Sequence, residues 1–514
     1  MTVAENIREL ALDVLLELEK EKEYSNRLVR SVLDKYDYLE GRDKSFFKRL
    51  TEGTIERQIE LDYYLDSFSA VPVKKMKPLI RCLLRMSVYQ LLYMDSVPDS
   101  AVCNEACKLA VRRHFQNLRG FVNGVLRTIS RNRESLPLPD AQREPVRYFS
   151  VKYSMPEWLV ELWLEEYGRE ITDTLLEGLL KIHPVSLRFR TSLTEQEREN
   201  VLAELRAGGA RVEQGAYLPY CFLLEHTENV AGLPGFAEGK YTVQDVSSAL
   251  AVEAAGIREG DFVLDVCAAP GGKSLLAAEK AGKTGRVLAR DVSEEKAALI
   301  RENAGRLGAD NLEVQVYDAR VKDESLSGRA DVVLLDVPCS GLGVIGKKRD
   351  IKYRITREGL DSLSELQRQI VRASSDYVKP GGTLLYSTCT IHRRENEDMV
   401  RFIAEELHLQ PQPLTGILPE KLLWQKEQQE GQKAESGEAR QEGLKGKSGE
   451  ARQERQKAEN GEARQEGLKA ESGNVPADNA GLTQEERDAC IQLLPGYMEA
   501  DGFFIARFCR PLNQ

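Results

Sequence analysis

"VLDVCAAPGGKSLLAAE", residues 263–279, joins an apolar run to a helical pattern through a turn that contains Gly271 and Gly272. Glycine in such a turn lets the backbone approach a ligand closely, and the helix that follows opens with N–H groups lacking intrahelical partners. The spacing is neither the G-x-G-x-x-G of dinucleotide binding nor the Walker phosphate loop. Outward from it, the apolar runs "FVLDVCA", "RVLARDV", "LEVQVYDA", "DVVLLDVP" and "GTLLYSTC" alternate with helical patterns across residues 262–389. Strands alternating with helices predict a doubly wound, Rossmann-like α/β sheet, with ligands at the carboxyl ends of its strands.

The residues at those ends define a chemistry. Asp291 closes the second strand, where a carboxylate can take both hydroxyls of a ribose, and Asp318 closes the third, suited to an adenine amino group. One acid at a strand end reads equally well as a helix cap or a turn residue; three at successive ends, Asp291, Asp318 and Asp336, do not. A nucleoside held by acids, without a phosphate site, points to S-adenosylmethionine. Asp336, Pro338 and Cys339 then end the fourth strand and Cys389 the fifth. A lone cysteine in an apolar run is usually buried and inert. Two at adjacent strand ends beside a nucleoside site predict thiol chemistry in one crevice.

Carbon 5 of a pyrimidine is a poor nucleophile, and adding a thiolate to carbon 6 turns it into an enamine-like one. The carbon 5 proton must then leave and the thiol be expelled, so one cysteine attacks while the other assists release. A free thiol, with pKa about 8.5, is only a few per cent ionised at neutral pH, so local activation is expected. Asp336 is placed to hydrogen-bond a cytosine edge and favour protonation of the ring nitrogen. The base must be unstacked, which favours single-stranded or loop RNA. From the residues alone, other readings stay open. A DNA cytosine methyltransferase would attack with Cys339, and a non-catalytic RNA-binding scaffold would need neither thiol. An amino-group methyltransferase is disfavoured, because "DVPC" replaces an aromatic D/N-P-P-Y type of site.

The remaining chain sets the context. At 514 residues two to four domains are expected, and 41% apolar with 30% charged residues suits a soluble protein. No apolar run approaches a membrane span, and "MTVAENIREL" lacks a signal-peptide pattern, so a cytoplasmic location is expected. Nine scattered cysteines without framework spacing imply reduced thiols, and Cys103 and Cys107 read as buried rather than zinc-binding, so no metal is expected. Residues 1–135 carry helical periodicity, "ESLPLPDAQREP" (134–145) is a break, and 146–240 mix helix and strand signals without legible chemistry. "GEARQE" recurs at 437, 449 and 461 within a polar segment, 424–474, expected to be a disordered or loosely helical insertion. "LLPGYMEADGFFIARFCR" predicts a closing hairpin turning at Asp501-Gly502. Net charge is −10, yet residues 108–133 hold seven basic side chains (Lys108, Arg112, Arg113, Arg119, Arg127, Arg131, Arg133) and no acid. Such a stretch is either a solvated helix face or an RNA-binding surface.

The motifs "VQDVSSAL", "DVCAAPGGKS", "DVPCSGLG", "STCT" with "REN", and "DGFFIARF" together resemble the Nol/Nop/Sun family of RNA cytosine carbon-5 methyltransferases. The resemblance implies Cys389 as nucleophile and Cys339 in release. It implies S-adenosylmethionine held by Cys267, Ala268, Ala269, Pro270, Gly271, Gly272, Lys273, Asp291, Asp318 and Asp336. Lys352, in "RDIKYR", and Asn396 match family positions near the target base. Through "FVNGVLR" and "LLRMSVYQLLYMDSVP" the N-terminal region resembles NusB-like RNA-binding domains. The implied order is an all-α NusB-like domain over 1–140, a small α+β connecting module over 146–240, and a Rossmann-like methyltransferase domain over 241–514. The implied partner is small-subunit ribosomal RNA, with no membrane or metal and a monomeric enzyme. Val337 and Thr390 depart from the family's usual alanine and serine without removing a reacting group.

Overall fold

The computed structural model describes residues 6–20, 24–181, 184–225, 230–431 and 481–512. The chain forms two compact units: Met1–Trp163 with Leu179–His183 and Val344–Arg357, and Leu164–Gly178 with Pro184–Gly343 and Glu358–Gln514.

The first unit is helical. Its elements are α1 (Ile7–Lys20), α2 (Ser25–Lys35), α3 (Gly41–Glu56), α4 (Gln58–Phe68), α5 (Pro78–Tyr93), α6 (Asp99–Arg112), α7 (Arg119–Arg131) and α8 (Pro145–Lys152). On α7, Val122, Val125, Leu126 and Ile129 recur at helical spacing and are buried, which leaves Arg119, Arg127 and Arg131 on the opposite, exposed face. Cys103 and Cys107 are both buried on α6. Among the described residues, no group of three or more His, Cys, Asp or Glu could hold a metal ion.

The acid-free stretch is not acid-free in space. Arg112 and Arg113 pair with Glu9 on α1, Arg113 pairs also with Asp13, and Arg133 pairs with Asp95. Arg119, Arg127 and Arg131 form no ion pair with a described residue. Residues 344–357, far along the chain, belong to this unit as well. Asp350 accepts from Ser25 N (2.9 Å) and Ser25 Oγ (2.8 Å), and Arg349 pairs with Glu52 and Glu56 at 2.7 and 3.0 Å.

The second unit holds two sheets. Residues 157–180 (α9) are helical on either side of a break at Gly168. The smaller sheet has order β2-β3-β1-β4, from β1 (Val185–Phe189), β2 (Arg211–Gln214), β3 (Cys221–Glu225) and β4 (Tyr241–Val243), with α10 (Glu195–Ala207) between β1 and β2. Thr194 and Glu197 form a reciprocal cap that starts α10. Because Tyr241–Val243 is hydrogen-bonded to β1, the connecting module runs one strand past residue 240.

The larger sheet contains β5 (Phe262–Asp265), β6 (Arg286–Asp291), β7 (Leu312–Val316), β8 (Ala330–Asp336), β9 (Val378–Thr388), β10 (Gln410–Pro411), β11 (Cys490–Leu493) and β12 (Phe503–Cys509). Its order is β10-β12-β9-β8-β5-β6-β7, with β11 also on β12. Strands β5 to β9 are mutually parallel, and β12 runs antiparallel to β9. The helices α11 (Val246–Ala255), α12 (Gly272–Ala281), α13 (Glu294–Leu307) and α15 (Arg357–Ser375) cover its faces, and a short α14 (Ile351–Arg354) lies in the helical unit. Strand order reverses at β5, so the carboxyl ends of β5 and β8 open the crevice expected for this topology.

One expectation is corrected. The closing hairpin pairs β11 with β12, but its connection spans 494–502 rather than turning tightly at Asp501-Gly502. Gly502 instead lies against Gly343, and its N–H donates to Gly343 O at 3.0 Å. A Cβ on Gly343 would fall 2.0 Å from Gly502 O, so the loop after Cys339 and the start of β12 meet only as glycines. Of the segment 424–474, expected to be disordered or loosely helical, only the first residues are described. Residues 420–431 form a helix, held by Tyr217 OH donating to Gln425 Oε1 (2.7 Å) and Lys426 Nζ donating to Arg487 O (2.6 Å). The rest of that segment, 432–474, lies outside the described residues. No described helix is long and apolar enough to cross a membrane.

Candidate active site

Strands β8 and β9 are adjacent and parallel, with Asp336 opposite Ser387 in register. Each continues into a loop that carries a thiol, and the sulfurs of Cys339 and Cys389 lie 3.3 Å apart. Both residues are partly exposed. The neighbouring Cys389 sulfur, and then burial, push the Cys339 thiol well above the usual cysteine range.

A buried carboxylate organises the two loops. Glu395 accepts from Ser340 N (2.9 Å), from Ser340 Oγ and from Gln367 Nε2 (2.8 Å). Ser340 Oγ also lies 2.7 Å from Thr390 Oγ1, so the residues that follow both thiols share one hydrogen-bond network. Gln367 Nε2 further donates to Pro338 O (3.0 Å), and Gly343 N donates to Cys389 O (3.1 Å). Asn396 is fully buried. It accepts from Thr388 Oγ1 (2.7 Å) and donates to Thr390 O (3.1 Å) and Gln492 Oε1 (2.7 Å). Its amide braces the Cys389 loop from within the protein.

Beside the thiols, β5 runs into the Cys267–Gly271 turn, which includes a cis Ala269–Pro270 peptide. Gly271 has φ 105°, a left-handed conformation that favours glycine, and α12 starts at the next residue. Asp291 is buried. It accepts from Ala269 N (3.0 Å), Val292 N (2.7 Å) and Lys296 Nζ (3.0 Å), so it fixes the turn. Asp318 is more open and pairs with Arg320 at 2.6 Å. Lys273 donates to Asp336 Oδ2 (2.7 Å) and Ser248 Oγ (3.1 Å), while Ser387 Oγ donates to Asp336 Oδ1 (3.0 Å). The Lys273 ammonium also stands 5.1 Å from the centre of the Phe503 ring. Asp265, at the foot of the turn, accepts from Ser274 Oγ (2.6 Å), and burial pushes its carboxyl up to about 7. Burial likewise pushes the Cys267 thiol upward. Carboxylates at successive strand ends beside a glycine turn suit a cofactor with hydroxyls and a positive centre, and oppose a polyphosphate.

The structure thus brings Cys339, Cys389, Asp336, Lys273 and the Cys267–Gly272 turn to one edge of the sheet. Lys352 belongs to the helical unit, where it is fully buried and donates to Glu56 O at 2.7 Å. Burial lowers its amine to about 7. Between that value and the ordinary lysine pKa of about 10.4, the unfolded chain holds a proton that the folded chain has released. Stability from this group therefore rises with pH through that window. Lys352→Met is expected to rise less in melting temperature than the wild type between pH 7 and pH 9.5; equal rises would sink this assignment.

Sequence reading did not single out Asp265, Ser248, Gln367 or Glu395. Glu395 adjoins Asn396 in "REN" and Asp265 sits inside "VLDVC", so motif position was the available signal for both. Ser248 and Gln367 become visible only through their partners.

Comparison with known proteins gives concordant matches. The family profile described as 16S rRNA methyltransferase RsmB/F matches residues 253–434, the NusB family profile matches 5–131, and an RsmF/B-like ferredoxin-like domain profile matches 155–231. A relative in Bacillus subtilis, named probable ribosomal RNA small subunit methyltransferase B, is 38% identical over 81% of this chain and 92% of its own length. One in Proteus mirabilis, named ribosomal RNA small subunit methyltransferase B, is 32% identical over 70% of this chain and 83% of its own. The crystal structure of the protein PH0851 shares the fold, with TM-score 0.70 and 23% identity over 99% of this chain and all of that one. A methyltransferase homolog protein from Pyrococcus horikoshii shares it at TM-score 0.51 and 21% identity, over 71% of this chain and 99% of its own.

Proposed function

The chain belongs to the RsmB/F family of 16S rRNA methyltransferases, and from that premise we propose that it transfers a methyl group from S-adenosylmethionine to carbon 5 of a cytosine in small-subunit ribosomal RNA. The observation that carries this reading is the pair of sulfurs 3.3 Å apart at the ends of adjacent parallel strands, beside Asp336. The reading extends to a cytoplasmic enzyme that acts as a monomer.

The residues that would hold S-adenosylmethionine are the turn Cys267, Ala268, Ala269, Pro270, Gly271 and Gly272, with Lys273, Asp291, Asp318 and Asp336. Bound there, it supplies an electrophilic methyl group to the activated ring carbon. The chain's own groups do the rest. Before attack, Cys339 donates its S–H toward the Cys389 sulfur and favours the Cys389 thiolate. The Cys389 sulfur, its proton given up to solvent, then adds to carbon 6; the electrons of the 5,6 double bond move toward carbon 5 and the ring nitrogen, which takes a proton from solvent and donates it in a hydrogen bond to the Asp336 carboxylate. Release reverses this. The carbon 5 proton leaves to solvent, the double bond returns, and the bond from sulfur to carbon 6 breaks, with the Cys339 S–H close enough to support that elimination by hydrogen-bonding the departing Cys389 thiolate. Ser387 and Lys273 keep Asp336 in place through both phases.

The test is transfer of labelled methyl from S-adenosylmethionine to small-subunit ribosomal RNA, followed by digestion to nucleosides. Label in 5-methylcytidine is the expected result; label in another nucleoside, or none, overturns the reading.

The helical unit is the proposed RNA-binding part, and on its α7 Arg119, Arg127 and Arg131 form no ion pair with a described residue. Replacing Arg119, Arg127 and Arg131 together by glutamine is expected to weaken RNA binding and reduce the slope of log affinity against log salt by about two to three, one counterion-release step for each phosphate contact. Replacing Arg112 and Arg113 should change that slope less, since Glu9 and Asp13 already neutralise them. Equal effects of the two sets would remove α7 from the RNA path.

A further inference from the structure

The connecting module contributes no reacting group, yet a cation with no exposed surface reaches out of it. Arg188, on β1, is fully buried. Its Nε donates to Gln244 Oε1 at 2.6 Å and its Nη1 to Glu279 Oε1 at 2.7 Å. Glu279 lies two turns along α12 from Gly272, and its other oxygen accepts from Thr191 N (2.8 Å) and Thr191 Oγ1 (3.0 Å). Gln244, just past β4, packs on the first residue of the same helix: a Cβ on Gly272 would lie 3.3 Å from Gln244 Cδ. Gln244 is itself anchored to the connecting sheet, its N–H donating to Ser186 O at 3.1 Å. One guanidinium therefore holds α12 at its first turn, through Gln244, and again two turns later, through Glu279.

A buried guanidinium is a costly way to make two elements cohere, and apolar packing would serve cohesion better. Here the cost is compounded, because Arg188 Nη2 and Gln244 Nε2 are buried with no hydrogen-bond partner among the described residues. What the planar fork supplies instead is direction, since it fixes two acceptors at set angles. The element it fixes begins where the Cys267–Gly271 turn ends.

We infer that Arg188 is a positioning residue. Acting through Gln244 and Glu279, it holds the start of α12, and with it the Cys267–Lys273 turn, in the conformation that binds the cofactor. The inference rests on the reading that this turn holds S-adenosylmethionine. It assigns to the connecting module the task of setting cofactor affinity, separate from the thiol chemistry at the ends of β8 and β9.

Calorimetric titration of the full-length chain with S-adenosylmethionine tests this, comparing wild type with Gln244→Ala, Arg188→Met and Arg188→Lys, alongside melting temperatures without cofactor. Misplacing a binding loop from a distance is expected to raise the Kd about tenfold for Gln244→Ala and Arg188→Met, with partial recovery in Arg188→Lys, which keeps the charge facing Glu279. In turnover with RNA the loss should fall on KM for S-adenosylmethionine rather than on kcat. A Kd within about twofold of wild type in Gln244→Ala overturns the inference, whether or not its melting temperature falls, since a lower melting temperature alone marks a purely structural role. If Arg188→Met does not fold, Gln244→Ala and Arg188→Lys decide. Failure of the wild type itself to bind S-adenosylmethionine overturns both the inference and the reading of the site beneath it.

Discussion

Cys389→Ala is expected to abolish methyl transfer and covalent attachment to RNA together, while Cys339→Ala still attacks and then holds its substrate. The two sulfurs are 3.3 Å apart, so both can reach one pyrimidine ring. Cys339 is raised well above the usual thiol range by its neighbour and by burial, which suits a group that retains or accepts a proton rather than one that attacks. Removing the attacking sulfur should cost about a thousandfold or more in turnover, as loss of a nucleophile does in other covalent mechanisms. Removing the releasing one should stop turnover after a single covalent event. A denaturing gel of each variant with S-adenosylmethionine and small-subunit ribosomal RNA separates these outcomes. A slow-migrating adduct from Cys339→Ala and none from Cys389→Ala assigns attack and release. The opposite pattern would make Cys339 the nucleophile, as in a DNA-type enzyme. An adduct from neither variant, together with no turnover by the wild type, would revive the non-catalytic scaffold.

The largest effect outside the thiols is expected at Glu395, which has no exposed surface. Its carboxylate accepts from Ser340 N, Ser340 Oγ and Gln367 Nε2. Glu395→Ala strands those donors in the interior, and breaking a buried hydrogen-bonded charge in this way costs about 3–5 kcal/mol. For a unit of this size that lowers the melting temperature by on the order of 5–10 °C. Activity should fall as well, because Ser340 and Thr390, joined at 2.7 Å, follow the two thiols directly. Glu395→Gln keeps one acceptor oxygen and should lose less of both. A melting temperature for Glu395→Ala within about 2 °C of wild type would show that the two loops are held by other means.

Much of this architecture was legible because its causes are local. Alternating strand and helix periods between residues 262 and 389 declare the parallel sheet, and the Gly271-Gly272 turn declares where it bends toward a ligand. The strand-end positions of Asp291, Asp336, Cys339 and Cys389 could be counted directly along the chain. Where reading by sequence fell short, a distant partner was responsible. Asp501-Gly502 has the composition of a tight turn, yet Gly502 is glycine because Gly343, 159 residues earlier, occupies the space a side chain would need. The polar character of 424–431 left disorder and loose helix both open, and Tyr217 and Arg487 supply the partners that hold it as a helix.

By itself, then, the sequence determined the order of domains, the sheet that carries the site, and which side chains stand at its ligand-binding edge. Backbone period, glycine geometry and side-chain chemistry act over a few residues, and that is the range over which a sequence can be read. Only the tertiary structure decided register, burial and charge pairing. It put Asp336 beside Ser387 and the two sulfurs within contact, buried Lys352 against Glu56, and joined Arg188, on an unremarkable strand, to Gln244 and Glu279. It also neutralised Arg112 and Arg113 with acids about a hundred residues away, while Arg119, Arg127 and Arg131 on α7 form no ion pair with a described residue. Electrostatic and packing energies depend on distance in space, and folding sets that distance independently of separation along the chain.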